Sequence, residues 1–222
     1  MRMRIPYTIW APIYDRVVEK PTLNARRRSL ERLGNVEGQT ILIAGLGTGL
    51  DLPHLPQGAD YHGLDLTPAM LKKAEERAAN LNLSINMRQG NAMDLPYEDE
   101  SFDVVILHTI LAVVSKPHLA LAEASRVLKP GGRILIMDKF LKPGESAPFR
   151  RLLGLVSGPV ASRTDVVFES LMKKRQELKV LEDSPAMMRG WFRNITLEKP
   201  AAQATTPEPA PEPATTQDNP AA

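Results

Sequence analysis

The sequence predicts an α/β protein built on a doubly wound, mostly parallel sheet that ends in an antiparallel hairpin. Three observations predict it. Short apolar runs alternate with amphipathic segments from Thr40 to Met137, the pattern of strands joined by crossover helices. A glycine-rich turn follows the first of those runs, at Gly45, Gly47 and Gly49. Near the end, "LKVLEDSPAM" and "WFRNITLEKP" follow one another across only Met188-Arg189-Gly190, and a hairpin there adds antiparallel strands to a parallel sheet.

Taken in order, two helices are expected first, over Pro12–Lys20 and Leu23–Leu33. Strands are expected at Thr40–Ala44, Asp60–Leu64, Ser84–Arg88, Phe102–Leu107 and Arg133–Met137. Thr67 can cap a helix with Pro68 at its first position, continued by "AMLKKAEERAANL". Ser115 and Pro117 open "HLALAEASRVL", which is expected to stop at Lys129-Pro130-Gly131-Gly132. In that helix Leu119, Ala122, Ala124 and Val127 are the expected packing positions, with Glu123 and Arg126 facing water.

Composition bounds the function. The 222 residues suit one globular domain over 1–199, followed by a Pro/Ala-rich tail over 200–222 that has too little apolar surface to fold. No apolar run approaches the roughly 20 residues of a membrane span, and the N-terminus lacks the apolar core of a secretory signal. With no cysteine, disulfides, thiolate metal sites and a cysteine nucleophile are excluded. A cytoplasmic protein is expected. The net charge is +2, and from Ala201 onward the chain holds only Glu208, Glu212 and Asp218, leaving the body at +5. That excess suits an anionic partner but is too small to indicate nucleic acid.

The glycine turn carries the first functional signal. Glycines without Cβ atoms let a ligand lie against the backbone. The dinucleotide fingerprint requires a small third residue where this chain has Leu50, and Pro53 and Pro56 leave little helix to receive a pyrophosphate. A nucleoside without a pyrophosphate fits better. Asp65, at the end of the second strand, can accept both hydroxyls of a ribose; a solvated or capping acid is the alternative. Asn91 and Ala92, in "RQGNAMDLP", follow the third strand, so three successive strand ends bring these groups to one edge of the sheet.

This ordered set resembles the class I S-adenosylmethionine-dependent methyltransferases, over Tyr7 to Lys199. The resemblance implies a Rossmann-like sheet of seven strands and S-adenosyl-L-methionine as cofactor. It places Gly45, Gly47 and Gly49 beside the methionine part, Asp65 at the ribose with the adjoining Leu66 as a further cofactor contact, and Asn91, Ala92 and Met93 along the adenine. Two positions depart from the family. Ile43 stands where an acid often precedes the first glycine by two residues, so any contact through that carboxylate is absent or supplied elsewhere. Asn91 stands in place of Asp, and its amide oxygen can still accept from an adenine amine.

Methyl transfer is an in-line displacement that rests on positioning and needs no metal. His108, directly after "FDVVIL", can orient or deprotonate an acceptor; packing against "TILAVV" with backbone partners is the alternative. Tyr14, in "YTIWAPIYD", is expected to help close the site, as a similar Tyr-rich segment does in related small methyltransferases. The same segment, the "GTGLDLPHLP" turn and the hairpin are similar to bacterial phosphatidylethanolamine N-methyltransferases. An amphipathic acceptor with a phospholipid amine is thus implied, and quinone C-methyltransferases share the scaffold. A binding protein that has lost turnover is the reading from another class. Arg26-Arg27-Arg28, Arg150-Arg151 and Lys173-Lys174-Arg175 are candidates for attraction to an anionic membrane, with solvated helix faces as the alternative. The apolar, basic segment "APFRRLLGLVSGPVASR" is a candidate lid for the acceptor. The oligomeric state is left open.

Overall fold

A computed structural model describes residues 19–141, 144 and 165–201. Helix α1 covers residues 19–30 and ends in a 3-10 turn, Glu31–Leu33. Strands β1 (Thr40–Ala44), β2 (Asp60–Asp65), β3 (Asn86–Gln89), β4 (Phe102–His108), β5 (Leu128–Lys139), β6 (Lys179–Met187) and β7 (Phe192–Glu198) form one sheet in the order β3-β2-β1-β4-β5-β7-β6. Helix α2 spans Pro68–Asn80, α3 Pro117–Val127 and the short α4 Phe168–Met172. The first five strands pair in parallel, and β7 joins β5 and β6 antiparallel, as expected from the hairpin.

Both faces of the sheet are covered, which is why the central strands are apolar on both sides. Ile41, Ile43, Val104 and Ile106 pack with Leu30 and Leu33 at the end of α1 and with Leu71 and Ala74 of α2. Leu42, Val105, Leu107, Ile134 and Ile136 pack with Leu121 and Ala124 of α3 and Phe168 of α4. Strand order reverses between β1 and β4, so the chain leaves these two strands in opposite directions. A crevice opens at their carboxyl ends.

The element boundaries differ from expectation in instructive places. Residues 19–30 form one helical run that Pro21 does not divide; of the two expected helices, Pro12–Lys20 lies mostly outside the described residues. Thr22, Ala25, Arg26, Ser29, Leu30 and Leu33 are all buried at helical spacing, so docking on the sheet holds the run together. Helix α3 ends at Val127, and Lys129–Gly132 form an irregularity inside β5. A Cβ on Gly132 would come within 2.8 Å of the Lys129 carbonyl and 2.9 Å of the Asp103 carbonyl. Both are backbone atoms, so the bend requires glycine there. The buried stripe of α3 is Pro117, Ala120, Leu121, Ala124 and Val127, whereas Leu119 is exposed. Glu123 and Arg126 also do more than face water. Arg126 forks onto both Glu123 oxygens and donates to the Leu95 and Tyr97 carbonyls, bracing the segment after β3.

Candidate active site

The crevice at the strand-order reversal is a cavity lined by the ends of four strands. Gly45 and Gly47 come from the turn after β1, Leu64 to Thr67 from β2, Gly90 to Met93 from β3, and Thr109, Ile110, Val113 and Val114 from the loop after β4. Met70 of α2 completes the lining.

Asp65 is the hub. Its Oδ2 accepts from the Gly47 amide at 2.9 Å and its Oδ1 from the Thr67 amide at 2.8 Å. The acid thus ties the glycine turn to the start of α2 while lining the cavity. Burial pushes its carboxyl above the ordinary value, against the opposing pull of the Thr67 and Gly47 amides. Thr67 holds the expected N-cap position, yet its side chain makes no capping bond to the helix; the hydroxyl instead supports Asp65.

The three turn glycines have three different jobs. A Cβ on Gly45 would lie 2.7 Å from Ile110 Cδ1, so the glycine lets the two cavity walls meet. Gly47, at φ +58, has nothing within 4 Å of where its Cβ would be, an open cradle against which a ligand can lie. Gly49 is not among the lining residues. A Cβ there would meet Leu52 Cδ1 at 2.7 Å and the Ala74 backbone at 3.3 Å, so its service is close packing of α2, not the expected cofactor contact. Leu66, exposed at the cavity edge, and the partly buried Met93 supply apolar surface of the kind a flat base requires. Asn91 and Ala92 line the same end, with Asn91 Oδ1 accepting from the Met93 amide at 3.0 Å. One further lone pair on that oxygen is available to an amine.

His108 is placed differently from the expectation of a site-facing base. It is 3% exposed and is absent from the cavity lining. Its Nδ1 lies 2.9 Å from Asp51 Oδ1, and its Nε2 lies 2.9 Å from Ser29 Oγ. Both ring nitrogens are therefore engaged with other side chains. Asp51 Oδ1 also accepts from Arg26 Nη1 at 2.8 Å, and Arg26 Nε donates to Thr22 Oγ1 at 3.1 Å. Burial favours the neutral Asp51 carboxyl, but His108 and Arg26 together outweigh it and hold the group below the ordinary carboxylate range. Arg26, Asp51 and Ser29 were not legible as a set. Arg26 and Ser29 lie on α1 and Asp51 lies beyond the glycine turn, and nothing in their spacing announces that α1 turns a polar stripe toward the strand ends.

The loop after β4 does more than pack. Its "TILAVV" looks like packing, but four of those six residues line the cavity. Thr109 has φ +55, a rare conformation for a β-branched residue. This turn directs Ile110 over Gly45. Tyr14 lies outside the described residues.

A family model described as a methyltransferase domain matches residues 42–136, the span that contains all four strand ends of the cavity. Residues 42–136 are a methyltransferase domain of the class I S-adenosylmethionine-dependent kind. The chain is 29% identical over 196 residues to a phosphatidylethanolamine N-methyltransferase of Cereibacter sphaeroides, covering 87% of this chain and 95% of the relative. It is 38% identical over 129 residues to a demethylmenaquinone methyltransferase of Tropheryma whipplei, covering 57% of this chain and 53% of that protein. The chain thus spans about half the length of that quinone-pathway relative. In fold it is similar to a geranyl diphosphate methyltransferase solved in complex with S-adenosylmethionine, with a TM-score of 0.67, 19% identity and 78% of this chain covered against 84% of that one.

S-adenosyl-L-methionine is the cofactor of this methyltransferase, and the cavity fits it. Gly47 presents open backbone, the Asp65 carboxyl lines the wall beside it, and Leu66 and Met93 flank room for a base beside Asn91. No described helix is long and apolar enough to cross a membrane.

Proposed function

We propose that this methyltransferase transfers methyl groups to the amine of an amphipathic acceptor, of the phosphatidylethanolamine type. The observation that carries the reading is the extent of the similarity. It reaches 95% of the phosphatidylethanolamine N-methyltransferase, against 53% of the quinone-pathway relative. Methylation of a quinone or another hydrophobic metabolite is the second reading, favoured by the higher identity within that shorter match.

When bound, the cofactor supplies an electrophilic methyl on a sulfonium, which the acceptor nitrogen attacks in line as the carbon–sulfur bond breaks. The chain's part is to hold and orient. Asp65 and the Gly47 backbone hold the nucleoside end. Ile110, Val113 and Val114 form an apolar wall that excludes water from the reacting side. The headgroup ammonium gives one proton to solvent before its nitrogen can attack, so each transfer releases one proton, and none of the described lining residues has to act as the base. Tyr14 is proposed to close the site from the N-terminal segment. His108 is proposed to act by holding the strand end that leads into Thr109.

Contact with an anionic membrane is part of this proposal, with fewer arginines than the sequence suggests. Arg26 is internal and paired with Asp51. Arg28 donates to the Ala186 carbonyl, and Arg175 pairs with Glu177. Lys173, Lys174 and Arg27 remain exposed, while Arg150 and Arg151 lie outside the described residues.

The test is incubation of the protein with methyl-labelled cofactor and, separately, phosphatidylethanolamine vesicles or a demethylated quinone. Label in the phospholipid headgroup supports the first reading, and label on the quinone ring replaces it with the second. Cofactor binding without transfer to either would point to a binding protein.

A further inference from the structure

Asp138 is a buried acid that the cofactor site does not touch. It sits near the end of β5, is 1% exposed and is absent from the cavity lining. Its Oδ2 accepts from the Ala112 amide at 3.0 Å and its Oδ1 from the Lys139 amide at 2.8 Å. Ala112 lies inside the loop whose neighbours Ile110, Val113 and Val114 form one cavity wall.

The loop needs this acid. The amides of Val113 and Val114 both turn back onto the Ile110 carbonyl, at 2.9 and 3.0 Å. A turn of this kind leaves its first amides without an internal acceptor, as at the start of a helix. Ala112 is itself 1% exposed, so its amide has no access to bulk water and leaving it unpaired would be costly. Asp138 supplies the acceptor from a neighbouring strand. The other end of the loop is held by the Thr109 amide on the Met137 carbonyl at 2.8 Å. Between these two anchors the chain makes the left-handed turn at Thr109 that lays Ile110 over Gly45.

A neutral amide cannot replace the acid without loss. Both carboxylate oxygens face backbone N–H donors, whereas Asn would set its own NH2 against one of them. The burial of a carboxylate here is costly, and a position whose only task was packing would be filled better by an apolar residue.

We propose that Asp138 is a positioning residue for cofactor binding, acting through the Ala112 amide to hold the 109–114 loop against the glycine turn. The inference rests on the cavity being the cofactor site.

Titration of S-adenosylhomocysteine into the folded wild-type protein and into Asp138→Asn tests it. The variant should bind at least tenfold more weakly while its melting temperature stays within a few degrees of wild type, because relief of the buried charge offsets the lost bond. An acid serving stability alone would shift the melting temperature and leave the affinity of the folded protein unchanged, and that result overturns the proposal. Absence of binding by wild type itself would instead sink the assignment of the cavity. If the variant does not fold, amide exchange in the wild-type protein decides. The Ala112 amide should exchange at least tenfold more slowly with saturating S-adenosylhomocysteine than without it, and equal protection in both states contradicts the coupling.

Discussion

His108 Nδ1 lies 2.9 Å from Asp51 Oδ1, deep between α1 and the strand ends. The same oxygen accepts from Arg26, so one carboxylate serves two nitrogens from two other elements. Removing it leaves a buried guanidinium without its counter-charge. Asp51→Asn should therefore destabilise the fold by about 3–5 kcal/mol, measured by urea unfolding with the slope checked for two-state behaviour. The pH dependence has a definite sign. Because the folded carboxyl titrates below its ordinary 3.8, its contribution is complete above that value and is lost as the pH falls below it. The variant should lack that part of the acid sensitivity.

Asp65 offers a separate test, because its bonds are to the cavity's own walls. Asp65→Ala frees the amides of Gly47 and Thr67 and removes the acceptor proposed for the ribose hydroxyls. S-adenosylhomocysteine should bind roughly 10- to 100-fold more weakly, the range for losing charged hydrogen bonds. Calorimetry giving an affinity equal to wild type would mean that the ribose lies elsewhere.

The two lining glycines of the turn after β1 should respond differently to alanine. At Gly45, with φ +86, the new methyl would meet Ile110 at 2.7 Å. Gly45→Ala should lower both the melting temperature and cofactor affinity. Gly47 has open space, so Gly47→Ala costs mainly the left-handed conformation, about 1–2 kcal/mol, while its methyl stands in the cavity. Its affinity loss should exceed its stability loss, as read by calorimetry beside thermal unfolding.

Asp138 should reverse the usual direction of pH dependence. Burial pushes its carboxyl up to about 6, opposed by the Ala112 and Lys139 amides and by the Lys139 ammonium. The other charge at this register is Arg193 of β7, which is engaged by Asp183 and Glu169. A raised folded value means that the native state holds a proton that the unfolded state releases. This group's contribution to stability therefore declines as the pH rises from about 4 through 6, by roughly 3 kcal/mol at most. Comparing unfolding free energies of wild type and Asp138→Asn across pH 4–8 should show that decline in wild type only.

Much of this architecture is legible from local pattern. The strands of the parallel part, α2 and the terminal hairpin follow from apolar runs, Thr67-Pro68 and the Met188-Arg189-Gly190 turn. These signals are local, set by backbone conformation and the period of burial. Gly45, Gly47, Asp65, Asn91, Ala92 and Met93 could be placed at one edge because each follows a strand in a parallel sheet. Their chemistry depends on chain order more than on long-range packing.

Other roles required the folded chain. Gly49 belongs to helix packing because Ala74 lies beside it, and His108 is engaged because α1 brings Ser29 and Arg26 over the strand ends. Arg26 reads as one of three surface arginines until that docking buries it. The anchoring of Ala112 by Asp138 joins residues 26 positions apart. By itself, then, the sequence determined the fold class and the strand-end groups that come together at one cavity. Tertiary structure alone decided which polar residues are buried and paired, because the pairing of a buried charge depends on what long-range contacts place within hydrogen-bond reach.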